Sequence, residues 1–186
     1  MIIDPGCNST AEQQQLVDFI DSKGLKPVKL VNTHCHIDHI LGNRFVAETY
    51  NLELMAHRGE IPVLSAGKMT SDMYAIKYDP SPEIAVFLEE GEKLDFGSTS
   101  MEILFTPGHS PASLSFFHAE TKQLIAGDVL FDGSIGRTDL PGGDFDTLIS
   151  NIKNKLFPLG DDVVVYPGHG PSTTIGKEKK FNPFLQ

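Results

Sequence analysis

Thr33-His34-Cys35-His36-Ile37-Asp38-His39 is the stretch that decides how this chain is read. It follows an apolar run and precedes Gly42, where a helix can begin. Three of the seven histidines fall within these few residues. In extended chain, alternate side chains share a side, so His34, His36 and Asp38 can converge. His39 points elsewhere unless the chain turns there. The spacing therefore predicts two adjacent ions rather than one, with His34 and His36 on the first and Asp38 and His39 on the second. Imidazole nitrogen together with carboxylate oxygen suits zinc, iron or manganese.

Further donors lie downstream. Two apolar strands end in the same tripeptide, Pro107-Gly108-His109 and Pro167-Gly168-His169, which hints at internal duplication. Ligands in layered α/β folds collect at strand ends, so the two histidines point to one shared site. Asp128 closes Ala126-Gly127-Asp128 in a similar setting. Taken singly, each of these residues reads as a turn or core position. Together they place five of the seven histidines just after apolar strands in glycine-rich turns, which a solvated surface gives no reason to do. His57 and His118 are read as structural. Cys35 alternates with the ligands, so it is expected to point away from the metal as a small core residue.

Strands and helices interleave along the rest of the chain. Met1–Asp4 reads as a strand ended by Pro5-Gly6. Asn8-Ser9-Thr10 offers helix caps, with Glu12 or Gln13 placed for a capping box. Leu16, Phe19 and Ile20 recur at helical spacing until Gly24. Strands are expected at Leu30–Thr33, Leu52–Ala56, Met101–Phe105, Leu114–Phe117, Gln123–Ala126 and Val163–Tyr166. Helices are expected at about Asn43–Tyr50, over a broken Ile61–Lys77, along the apolar face Leu148, Ile149, Ile152 and Leu156, and after Thr174. This pattern predicts a layered α/β protein. The 186 residues fit one domain spanning 1–186.

Composition narrows the function classes. A formal net charge of −10 argues against nucleic acid, whose binding needs lysines and arginines. The cluster Lys177-Glu178-Lys179-Lys180 reads as a solvated helix face. No apolar run approaches the roughly 18 residues of a membrane span. Met1-Ile2-Ile3-Asp4-Pro5 does not read as a signal peptide. Cys7 and Cys35 make no disulfide framework. Cytoplasmic location is the default expectation.

Five motifs now stand in order: Asp4-Pro5-Gly6, His34–His39, Pro107-Gly108-His109, Ala126-Gly127-Asp128 and Pro167-Gly168-His169. In order and spacing they resemble the metallo-β-lactamase superfamily, over nearly the whole chain. The resemblance implies a four-layer αβ/βα sandwich, two mixed β-sheets flanked by helices, with the metal site at one edge. By family pattern His34, His36 and His109 would hold one ion, Asp38, His39 and His169 the other, and Asp128 would bridge them. The ions implied are two divalent metals, zinc first, with iron or manganese as alternatives.

Finer residues narrow the branch. Asp128 stands where the true β-lactamases carry cysteine, which weighs against antibiotic cleavage as the main role. His36 stands where oxygen-reducing diiron proteins carry glutamate, and the RNA-processing members need an additional domain. The run Leu130 to Asp144, containing Gly136-Arg137-Thr138-Asp139 and Leu140-Pro141-Gly142-Gly143, looks like the small single-domain glyoxalase II-like hydrolases. So do Gly170 to Glu178 and Asn182-Pro183-Phe184. This implies hydrolysis of a small-molecule thioester of the S-D-lactoylglutathione type by hydroxide shared between the ions, with Asp38 orienting it and Asp128 essential.

Arg137 falls where glyoxalase II sets a basic residue on the glutathione carboxylate, and Lys177 is a second candidate substrate contact. Asp139 and Pro171, however, stand where tyrosines assist. The helical domain that follows in full-length glyoxalase II, and the β-hairpin that usually precedes Asp-Pro-Gly, are likewise expected to be missing. Metal chemistry is thus expected to carry over, and glutathione specificity is not. The competing expectations are a persulfide dioxygenase using one iron on His34, His109 and Asp128, a lactonase, and a non-catalytic metal-binding module.

Overall fold

The computed structural model describes all 186 residues, in two compact units, Met1–Phe87 and Leu88–Gln186. No helix is long and apolar enough to cross a membrane.

In the first unit, β1 (Ile2–Ile3), β2 (Leu30–Val31), β3 (Leu54–Ala56) and β4 (Ile84–Phe87) form one sheet in that order. Every neighbouring pair is parallel. These strands run parallel because a helical crossover separates each from the next. The crossovers are α1 (Thr10–Ser22), then α2 (Ile37–Ile40) with α3 (Asn43–Tyr50), then α4 (Ile61–Ser65) with α5 (Gly67–Met73). α1 begins with the expected capping box: Ser9 Oγ accepts the Glu12 N–H, and the Glu12 carboxylate accepts the Ser9 N–H at 2.8 Å. Such a cap contributes about 1 kcal/mol. Leu30, Ile40, Val46, Leu54 and Cys35 share one buried cluster.

β2 is shorter than the predicted Leu30–Thr33. Asn32 N–H still reaches Met55 O, but Thr33 N–H donates instead to Asp4 Oδ1 at 2.7 Å, and the ladder stops. Because the sheet is parallel, the residues after β1, β2 and β3 emerge at one edge. Those residues are Asp4, the His34–His39 segment and His57.

The second unit carries β5 (Lys93–Phe96), β6 (Thr99–Phe105), β7 (Leu114–His118), β8 (Gln123–Gly127), β9 (Leu130–Phe131), β10 (Ser134–Ile135), β11 (Val164–Pro167) and β12 (Thr173–Thr174). Six of them form a mixed sheet in the order β12-β11-β8-β7-β6-β5, while β9 and β10 pair by themselves. β6–β7 and β7–β8 are antiparallel and β8–β11 is parallel, so β6, β8 and β11 all run the same way. The crossover from β8 to β11 includes α6 (Phe145–Asn151), a π-helical turn (Ile152–Leu156) and a 3-10 turn (Phe157–Leu159). Leu148, Ile152 and Leu156 are fully buried on that segment, as the apolar face predicts. α7 (Ile175–Phe181) starts at Thr174, whose hydroxyl accepts the Lys177 N–H.

Candidate metal centre

The first unit delivers four predicted donors from one loop. His34 and His36 lie in extended chain after β2, with ring centroids 4.8 Å apart. The alternation expected through Asp38 does not continue. The chain turns at Ile37, so Asp38 and His39 are presented by the short helix α2. That turn brings the His39 ring to 4.1 Å from the His34 ring, and His39 Nε2 to 3.6 Å from Asp38 Oδ2.

Asp4 orients this group. Its Oδ2 accepts the Thr33 hydroxyl at 2.6 Å and the His39 Nδ1–H at 3.1 Å, while Oδ1 accepts the Thr33 N–H. Thr33 has one hydroxyl proton and gives it to Asp4. Its oxygen, 3.0 Å from His34 Nδ1, therefore accepts the His34 Nδ1–H. His34 and His39 are thus held as the tautomer whose Nε2 carries a lone pair. Asp4, His34 and His39 could by proximity form a ligand group of their own. The hydrogen bonds instead cast Asp4 as the carboxylate behind the ligands, a common partner of metal-bound imidazole.

The second unit delivers three more donors. β6, β8 and β11 run in one direction, so His109, Asp128 and His169 follow them at the same sheet edge. Gly168 N–H donates to Gly127 O at 2.8 Å, locking the last two turns together. Asp128 Oδ2 lies 3.6 Å from both His109 Nε2 and His169 Nε2. His109 Nδ1–H donates to Arg137 O at 2.7 Å, so it too presents Nε2. Gly136 makes this approach possible: a Cβ there would stand 1.9 Å from Asp128 O.

The donor set fits a metal. Two bonds of about 2.1 Å at a tetrahedral angle put ligand atoms about 3.4 Å apart. The 3.6 Å nitrogen–oxygen separations match that spacing and exceed a hydrogen bond. A divalent ion would also balance the buried carboxylate of Asp128.

The remaining candidates fall as follows. His57 Nδ1 accepts the Gly59 N–H and His118 Nδ1 accepts the Thr121 N–H, both local turn contacts. Cys35 is buried in the apolar cluster, and burial pushes its thiol well above the ordinary range, with Glu60 and Asp4 adding to the effect. Arg137 is exposed and forks onto Asp139 at 2.7 and 2.8 Å, which holds that carboxyl at about 2. Lys177 is exposed and paired with Asp132, which raises its pKa. Sequence reasoning missed the hydrogen bonds by which Asp4 and Thr33 hold the His34–His39 segment. Asp4 left a trace, since it opens the Asp4-Pro5-Gly6 motif.

The sequence profile of the metallo-β-lactamase superfamily matches residues 1–169. The chain is similar to hydroxyacylglutathione hydrolase GloC of Haemophilus influenzae, at 38% identity over 99% of this chain and 86% of the relative. Among solved structures it resembles TTHA1623 in a di-iron-bound form, with a TM-score of 0.90, 36% identity and coverage of 98% and 88%. It also resembles BLEG-1 B3 metallo-beta-lactamase, with a TM-score of 0.89, 36% identity and coverage of 98% and 87%.

Proposed function

The chain belongs to the metallo-β-lactamase superfamily and has its fold, and from that premise we propose that it is a binuclear thioester hydrolase of the glyoxalase II type. One observation carries the metal reading. All seven donor positions are filled, and three of the imidazoles have Nδ1 engaged so that Nε2 faces the chemistry. His34, His36 and His109 would hold one ion, and Asp38, His39 and His169 the other. Asp128 would bridge, in keeping with its equal spacing from His109 and His169. Zinc suits this set, and the di-iron form of the similar TTHA1623 makes iron the alternative.

Two divalent ions held there would lower the pKa of bound water from 15.7 to about 7 and so supply a nucleophile at neutral pH without a protein nucleophile. The chain's own residues do the rest. Asp4 and Thr33 fix the imidazole tautomers, and Asp38 would both ligate and orient the attacking oxygen. Arg137 and Lys177 would meet an anionic thiol portion of the substrate. The identity to GloC supports a hydroxyacyl thioester. The similarity to BLEG-1 favours β-lactam hydrolysis as the second reading.

The test is S-D-lactoylglutathione hydrolysis on protein whose metals are counted in the same sample, with nitrocefin alongside. Turnover of the thioester with two ions per chain is the expected result. Faster cleavage of nitrocefin would transfer the assignment to lactams. One iron, no hydrolysis and oxygen uptake with glutathione persulfide would overturn it in favour of a dioxygenase.

A further inference from the structure

Asn32 directly follows β2 and is wholly buried, as are its strand neighbours Leu30 and Val31. A buried amide is unfavourable unless each of its polar groups finds a partner. Here each does. Nδ2 carries two protons and donates one to His39 O at 2.9 Å and the other to Asp4 Oδ1 at 3.2 Å. Oδ1 accepts the Nδ2–H of Asn43, also wholly buried, at 2.7 Å. A carbonyl and a carboxylate oxygen on one side, and a donor on the other, let the amide face only one way.

These bonds close a ring of contacts on His39. Asp4 Oδ2 accepts its Nδ1–H, Asn32 donates to its backbone carbonyl, and Asn32 also holds the other oxygen of Asp4. The residue is therefore fixed at ring and main chain through one amide. His34 is held differently. Its Nδ1–H goes to Thr33, and Thr33 grips Asp4 by its own N–H and hydroxyl at 2.7 and 2.6 Å. Asn43 stands one step further back, donating its second Nδ2 proton to Ser81 Oγ at 2.9 Å.

We infer that Asn32 is a positioning residue for His39, and so for one of the two ions: its amide fixes where α2 sets the His39 ring, while His34 depends on Thr33. This inference rests on the binuclear reading above. A purely structural role, a latch joining β2 to α2 and α3, would lower stability on removal and leave both ion affinities unchanged.

The experiment is a stepwise zinc titration against a competing chelator on wild type, Asn32→Ala and Asn43→Ala. The thermal midpoint of each metal-free protein is measured in parallel. Both substitutions remove a buried amide from the same network, so both should lower the midpoint. Asn43→Ala leaves the bonds from Asn32 to His39 and Asp4 in place and should bind both ions as wild type does. Asn32→Ala should keep one ion at wild-type affinity and hold the other about tenfold or more weakly, the range seen when partners behind a ligand are changed. Asn32→Ser carries the same expectation and serves if Asn32→Ala does not fold. Two wild-type affinities in the Asn32 variant overturn the inference and leave the metal reading intact. Equal weakening of both ions also overturns it, as does a loss in Asn43→Ala as large as in Asn32→Ala, since either marks general loosening. Wild type that binds fewer than two ions refutes the binuclear reading and this inference together.

Discussion

Asp4 Oδ2 accepts the Nδ1–H of His39 at 3.1 Å, and through Thr33 the same oxygen also sets the tautomer of His34. One carboxylate thus governs a proposed ligand of each ion. Asp4→Asn should therefore weaken metal binding by roughly 10- to 100-fold, the usual cost of disturbing such a partner. Chelator competition measures this, and circular dichroism should show the fold retained. Unchanged affinity for both ions would show that the tautomers are set by other contacts.

Asp128 faces two histidines at equal distance, so its loss should be felt by both ions. Asp128→Ala is expected to abolish hydrolysis and to lower the metal count per chain, read by elemental analysis. Full activity in that variant would remove Asp128 from the site.

Gly136 lies where no side chain fits, since the obstructing atom is the backbone oxygen of Asp128 rather than a flexible side chain. Gly136→Ala must push the Leu130–Ile135 hairpin side of the chain away from Asp128. The expected cost is at least the 1–3 kcal/mol typical of overpacking, or about 3–9 °C in thermal midpoint at the slope usual for this size. An unaltered midpoint would mean that the approach of Gly136 to Asp128 is looser than described.

Arg137 is already engaged by Asp139, so a substrate carboxylate must compete for it. Asp139→Asn should lower KM for S-D-lactoylglutathione several-fold with kcat unchanged, because the guanidinium would be released to the anion. A KM that rises instead would assign Asp139 itself to substrate contact. Stability should hardly change, since both partners are exposed. The sign of its pH dependence follows from a carboxyl lowered from 3.8 to about 2. Its contribution is present above the unfolded value and lost as pH falls through about 2, so the pair stays charged across the assay range.

Much of this was legible because the chemistry is carried by side-chain type. Histidines that close apolar strands are visible in the sequence, and so are the strands read at Leu114–Phe117 and Gln123–Ala126, each one residue shorter than Leu114–His118 and Gln123–Gly127 as found. Strict alternation through Asp38 was not what the chain adopts, because α2 begins at Ile37. β4 and β5 were passed over although Ile84–Phe87 is apolar and Lys93–Phe96 alternates; their flanks of proline and charge masked them. β9, β10 and β12 have two residues each, too few for any period. Glu60 could not be read at all. In Arg58-Gly59-Glu60 a glutamate looks like surface, and only tertiary structure buries it.

The shared direction of β6, β8 and β11 has a kinetic consequence. His109 and Asp128 are joined by a local antiparallel meander, whose short loops close quickly. His169 arrives only when β11 pairs in parallel with β8 after a crossover through α6, a non-local step of the kind that slows folding. The third donor of this half therefore joins last, and a chromophoric ion such as cobalt, added during refolding, would change colour as that final strand docks.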